Sequence, residues 1–251
     1  MNNSGSDWIN KQRSIFEKKK SLYLFYERLF ELISIEISKL KGPLRIVEIG
    51  TGAGFSSNFL QEFDYLKTDA IDTGLQDLIV DAQILPFENE SLNVIFGVDV
   101  FHHISKPFKF LDEVSRTLSK DGKLILIEPA ITPFSWLIYR FLHPEPMNWS
   151  VPVTKDFEFS GSDVMDANNA LPSLVFRNNA SGDLGEFGLT LKYETRLFSF
   201  MSMIATGGIN NNWSVPILNQ LVPRLFDWEL RRSKRFGNTF FLRTLIVIEQ
   251  C

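Results

Sequence analysis

Cysteine is almost absent: the only one, Cys251, is the last of 251 residues. No internal disulfide can form and no thiolate metal cluster is available, which fits a reducing, cytoplasmic compartment. Histidine is scarce too. The three are His102, His103 and His143, and no His/Glu or His/Cys spacing marks a zinc site, so no metal is expected. There is no excess of positive charge: 26 Lys and Arg stand against 30 Asp and Glu, a net charge of −4. That excludes a general attraction to nucleic acid or anionic lipid. Arg231, Arg232, Lys234 and Arg235 form one basic cluster, to be read as a solvated helix end or as a local patch. Long apolar runs are lacking as well. The richest stretch, residues 124–142, is interrupted by Glu128, Pro129, Pro133 and Arg140 and is unfit to span a membrane. The start, MNNSGSDWINKQRS, has no apolar run behind a basic head, so no signal peptide is expected.

What remains is an ordinary globular composition, 44% hydrophobic and 22% charged, of a length that one α/β domain accommodates. Residues 14–40 have helical periodicity: Leu22, Phe25, Leu29, Leu32, Ile33, Glu36, Ile37 and Leu40 share one face, apolar except for Glu36. Gly42-Pro43 ends the helix. A short apolar strand follows at residues 44–49, then a glycine-rich turn and a helix over residues 56–63. Further strands are expected at residues 65–70, 78–82, 92–98 and 124–128. A helix is expected over 108–118, with a turn at Asp121-Gly122. Late strands fall near residues 189–197 and 239–249, around a helical stretch at 216–232. This alternation predicts a doubly wound, mostly parallel seven-stranded sheet, a Rossmann-like α/β fold. Residues 1–43 read as an N-terminal helical cap on a single domain. Residues 133–188, rich in proline and aromatic side chains, read as a lid over the site, with 176–188 as a loop. The aromatic side chains there (Phe134, Trp136, Tyr139, Phe141, Trp149) fit either core packing or an aromatic pocket.

In such sheets ligands bind at the carboxyl ends of the strands, where strand order reverses, and the informative residues sit there. Glu48-Ile49-Gly50-Thr51-Gly52-Ala53-Gly54 joins a strand to a helix. Its glycines allow a tight turn and a close approach of ligand to backbone. The dinucleotide fingerprint would carry glycine one place beyond Gly54, where Phe55 stands, so a nicotinamide cofactor is disfavoured. Asp69 ends the next strand and can accept from both hydroxyls of a ribose, with Asp72 as a rival. Asp81, before Ile84-Leu85-Pro86-Phe87, can accept from an exocyclic adenine amine. The fourth strand runs into Asp99-Val100-Phe101-His102-His103.

VEIGTGAG, then DAQILPF with SLNVIF, then FHHI, then FLDEVSRTLSKDGKLILIEP together resemble the type 11 group of class I S-adenosylmethionine-dependent methyltransferases. The resemblance covers about residues 44–130. It implies that S-adenosyl-L-methionine is the cofactor. Glu48, Gly50, Gly52 and Gly54 would lie under its methionine part, Asp69 on the ribose and Asp81 by the adenine; Thr51, Ala82 and Asp99 complete the implied cofactor set. Asn93 stands where the group has aspartate, and Lys120-Asp121-Gly122-Lys123 where it has KPGG. The segment TPFSWLIYRFLHPEP resembles a bacterial subset of the group.

In-line methyl transfer requires alignment and exclusion of water, and a base only when the acceptor must lose a proton. His103 and His143 are the candidate catalytic bases. The expected reaction is transfer of a methyl group to a small-molecule or glycan acceptor at oxygen. Two rival readings are a cofactor-binding protein without catalysis, acting as a regulatory or assembly partner, and a nicotinamide-dependent oxidoreductase. Sequence leaves the acceptor and the oligomeric state open.

Overall fold

A computed structural model describes residues 3–141, 145–151, 154–159, 167–177, 184–197, 201, 206 and 216–251. The expected first helix is two: α1, Asn3–Lys18, and α2, Lys20–Ile37. The break is Lys19, at φ −104° and ψ 89°, outside the helical region. Along α2 the apolar stripe packs as its spacing requires, with Leu29 and Ile33 fully buried. Truncating either to alanine would cost about 2–5 kcal/mol. Glu36, the charged member of that stripe, is buried and is met by Lys39 and by Lys123, the latter at 3.5 Å.

Seven strands follow: β1 (Ile46–Ile49), β2 (Tyr65–Asp69), β3 (Leu78–Ile79), β4 (Leu92–Val98), β5 (Leu118–Pro129), β6 (Leu189–Leu197) and β7 (Arg243–Gln250). They form one sheet in the order β3-β2-β1-β4-β5-β7-β6. The first five pair in parallel, and β7 runs antiparallel to both β5 and β6. This is the expected mostly parallel, doubly wound sheet, and strand order reverses between β1 and β4.

Side chains of the central strands alternate between two cores, as a sheet covered on both faces requires. Leu124 and Leu126 of β5 face one core with Ile246 and Ile248 of β7. Ile125 and Ile127 face the other with Leu245 and Val247. The first core is closed by α3 (Pro107–Thr117) and α5 (Leu171–Arg177), the second by α1, α2 and α6 (Val222–Phe240). Proline at the first position of α3 suits a place where no backbone donor is needed.

Several boundaries differ from the periodicity. The helix expected at 56–63 is only a 3-10 turn, Phe55–Asn58, because Phe59 leaves the helical region. The strand expected at 78–82 is two residues long, and that at 124–128 begins at Leu118. Asp121-Gly122 is not a terminal turn but part of an excursion within β5. Leu92 pairs with Leu118, yet Val94 pairs with Lys123, and Asp121 takes φ +62°. Thr239 and Phe240 end α6 instead of starting β7. Between β5 and β6 the described residues contain α5 and α4 (Pro133–Phe141); of the loop expected over 176–188, residues 178–183 lie outside the described residues. Among the aromatic residues of that region Tyr139 is buried, while Trp136, Phe141 and Trp149 are exposed. Arg231, Arg232 and Arg235 lie exposed on α6. Among the described residues no helix is long and apolar enough to cross a membrane.

Candidate active site

The carboxyl ends of β1, β2 and β4 open into one cleft of about 560 Å³. Its floor is the turn after β1. Gly50 takes φ +68°, and a Cβ there would lie 2.5 Å from Cγ2 of Val100. Only glycine permits that approach of the β1 turn to the β4 turn. The turn is tied to β2 by two hydrogen bonds. The Thr51 amide donates to Thr68 O at 3.0 Å, and the Gly52 amide donates to Asp69 Oδ2 at 2.7 Å. Glu48 accepts from the hydroxyls of Ser56 (2.8 Å) and Thr51 (3.1 Å). Burial outweighs these bonds and pushes its carboxyl up to about 7.

Asp69 is buried at the cleft wall, and burial raises its carboxyl above the usual range. It also accepts from the Ile71 amide at 3.1 Å. The Ala70 amide acts on it as well, and the rest of its acceptor capacity is left for a ligand's hydroxyls. Asp72 does not line the cleft; its carboxylate accepts from the Gly74 amide and the Gln76 side chain. Asp81 lines the cleft with Ala82, and its Oδ1 accepts from the backbone and side chain of Gln83, both at 2.9 Å.

Beyond β4 the cleft changes character. Asp99 takes φ +55°, and its carboxylate is gripped by Arg243 of β7. The Asp99 charge holds the buried guanidinium protonated against the cost of desolvation, and it raises the nearby Tyr26 and Tyr139 hydroxyls further. His102 and His103 sit in a 3-10 turn, Phe101–His103. His102 Nδ1 is 2.6 Å from Glu128 Oε2, and Glu128 Oε1 accepts from the amides of Val100 (2.9 Å) and Phe101 (2.8 Å). Glu145 Oε2 lies 3.5 Å from His102 Nε2. Burial alone would lower the His102 imidazole, but the two carboxylates outweigh it and push it up to about 10.

Of the residues singled out in the sequence, Glu48, Gly50, Thr51, Gly52, Asp69, Asp81, Ala82, Asp99 and His103 all line this cleft. Gly54 does not line it; at φ +73° it starts the 3-10 turn, with Leu75 against it. His143 lies outside the described residues. Sequence reading missed Arg243, Glu128 and Tyr26 as parts of this cleft and its wall. Arg243 carried a signal, a lone cation at the head of the apolar strand TLIVIE. Asn93, the departure noted above, accepts from the Arg45 amide at 2.8 Å and donates to Ser119 at 3.1 Å, a contact away from the cleft.

Phe55, which replaces the last glycine of a dinucleotide fingerprint, stacks on Phe16 of α1 with ring centroids 4.2 Å apart. The turn therefore leads into packed aromatic side chains, not into a long helix whose open N-terminus would meet a pyrophosphate.

Residues 47–126 match the methyltransferase-domain family of type 11. No curated protein matches the chain. Among solved structures, the protein bound to the Trm112 methyltransferase activator of Haloferax volcanii shares the fold, with a TM-score of 0.52 and 12% identity over 100% of this chain and 98% of that one. Geranyl diphosphate C-methyltransferase from Streptomyces coelicolor aligns with a TM-score of 0.47 and 12% identity, over 89% of this chain and 81% of that one. Residues 47–126 thus match a methyltransferase domain of the type 11 group, on a sheet with the fold of a methyltransferase partner, and S-adenosyl-L-methionine is the cofactor that such a domain takes.

Proposed function

We propose that the chain transfers a methyl group to a small-molecule or glycan acceptor at oxygen. The observation that carries this reading is the single cleft with two unlike ends. One end has the glycine turn and two acidic residues. The other has Tyr26, Tyr139, Asn169, Glu145 and Arg243. About 560 Å³ suits one nucleoside cofactor beside a small acceptor.

The residues at the first end fit the cofactor. The space beside Gly52 is the cleft itself, with no atom nearer than 3.9 Å to an added Cβ. The turn from Glu48 to Gly54 supports the methionine part, with Gly54 acting through the backbone it sets. Asp69 receives the ribose hydroxyls. Asp81 receives the adenine amine, with Ala82 at the ring. Asp99, fixed by Arg243, borders the methionine part. When bound, the cofactor supplies an electrophilic methyl group on a sulfonium. The chain aligns the acceptor behind it and keeps water out.

The acceptor enters under residues 133–188, which serve as the lid. Tyr139, Glu145, Phe159 and Asn169 of that segment line the cleft, and Ile9 and Gln12 of the N-terminal cap close it from the other side. The acceptor's polar end meets His103, and His143 is the second candidate base. Within a lining of mixed character, Tyr139, Glu145, Asn169 and Arg243 gather hydrogen-bonding groups at this end, which suits a hydroxyl-bearing acceptor. Incubation with labelled cofactor and a panel of sugars, phenols, amines and prenyl compounds tests this reading. Methylation at oxygen in a hydroxyl compound is expected; label only on nitrogen or carbon would overturn it.

A further inference from the structure

We propose that His102, His103 and Glu145 form a binding site for one divalent first-row transition-metal ion of the zinc class. Each offers one ligand atom, and the three atoms lie within 4.8 Å of one another. Sequence spacing hides the set, because Glu145 belongs to the segment after α4 and meets the histidines only in the fold.

Glu128 makes the arrangement more than a chance cluster. It is fully buried, is anchored by the Val100 and Phe101 amides, and holds His102 at Nδ1. That bond fixes the ring so that Nε2 points to Glu145. A carboxylate behind a ligating histidine is the usual support of a metal site. The gap from Nε2 to Glu145 Oε2 is 3.5 Å. A charge-assisted N–H···O bond is shorter, about 2.7–2.9 Å. Two donors on a tetrahedral ion, each bonded at about 2.1 Å, stand about 3.4 Å apart. A second observation points the same way. Asn169 Oδ1 is buried without a hydrogen-bond partner, and Asn169 lines the same cleft. Its Nδ2 donates to Glu145 O at 3.5 Å, and the neighbouring Asn168 amide donates to His102 O at 2.9 Å.

Two imidazoles and a carboxylate, with an amide oxygen or water as fourth donor, suit Zn²⁺, Co²⁺, Fe²⁺ or Mn²⁺. The ion takes the place of the proton on His102 Nε2, which leaves to solvent, while the Nδ1 proton stays on the bond to Glu128. The two carboxylates balance the double positive charge. With the ion bound, His103 serves as its ligand and not as the base; the ion would hold the acceptor oxygen and lower the pKa of its hydroxyl, whose proton leaves to solvent. Only that role rests on the proposed acceptor reading; binding of the ion does not.

The test uses the untagged full chain, stripped with a chelator and titrated with Zn²⁺ by calorimetry and with Co²⁺ by visible absorption. One ion per chain is expected, with d–d bands for Co²⁺. His102→Ala is a poor probe, since it strands Glu128. Glu145→Gln and His103→Gln should each weaken binding at least about tenfold, with the melting temperature and S-adenosylhomocysteine binding kept. Absence of saturable binding in a chain that still binds S-adenosylhomocysteine, or variants that bind the ion as the parent does, overturns the site. Loss of S-adenosylhomocysteine binding in the parent would instead count against the methyltransferase reading.

Discussion

Arg243 and Asp99 meet in a two-point ion pair, Nη1 to Oδ1 and Nη2 to Oδ2, each 2.7 Å long. The pair ties the head of antiparallel β7 to the left-handed turn that follows β4. Both side chains line the cleft, so the contact serves the site as well as the fold. Removing one partner leaves the other's charge uncompensated. Because the pair borders the cleft and is only partly buried, Asp99→Ala should cost about 1–3 kcal/mol in urea unfolding. Asp99→Ala with Arg243→Met should recover most of that loss. If the double variant is as unstable as Asp99→Ala alone, the coupling is absent.

Asp69 and Asp72 are three residues apart and should behave differently. Asp69 borders the cleft, whereas Asp72 is exposed and satisfied within its own turn. Two charge-assisted hydrogen bonds to a ribose are worth about 1.5–3 kcal/mol each. Asp69→Ala should therefore weaken S-adenosylhomocysteine binding by about two to four orders of magnitude, with the fold kept; Asp72→Ala should change it little. The reverse pattern in calorimetry would assign the ribose to Asp72.

Two glycines of the same turn should fail for different reasons. A Cβ on Gly50 would collide with Val100 at 2.5 Å, so Gly50→Ala should lower stability by about 1–3 kcal/mol. Gly52→Val meets no such wall and projects into the cleft. It should abolish cofactor binding; at φ +51° a β-branched side chain also strains the turn, so thermal melts should show a folded chain of lowered stability. Cofactor binding retained by Gly52→Val would place the ligand elsewhere.

Glu48 predicts a pH dependence. Its carboxyl ionises near 4.5 when unfolded and near 7 when folded, because burial disfavours the charge. Between those values the folded chain holds a proton that the unfolded chain has released. Its contribution to stability is thus full below about pH 4.5 and lost as the pH rises through 7. The loss is about 3 kcal/mol. Glu48→Gln should remove it, so the difference in unfolding free energy between pH 5 and pH 8 should shrink by about that amount. An unchanged difference would show that Glu48 ionises normally.

Much of this architecture was legible in the sequence because the central strands are apolar and the glycine turn is local. β2, β4 and β6 fall where their patterns place them, apart from one residue at the end of β2. Local reading failed where a tertiary contact decides the conformation. Lys19 splits one periodic helix without a breaker such as proline or glycine, and the Thr239–Phe240 pair looks like a strand but ends α6. The cofactor end of the site was legible because its residues follow strands in order. The other end was not, since Arg243 reaches Asp99 from 144 residues away and Glu128 reaches His102 from the neighbouring strand β5.

The central claim is that this cleft holds S-adenosyl-L-methionine, and calorimetry on the purified chain tests it most directly. The account predicts one molecule of S-adenosylhomocysteine bound per chain, with a Kd on the order of micromolar, about −8 kcal/mol, and no comparable binding of NAD. Tighter binding of NAD, or no binding of S-adenosylhomocysteine by a folded chain, would contradict it.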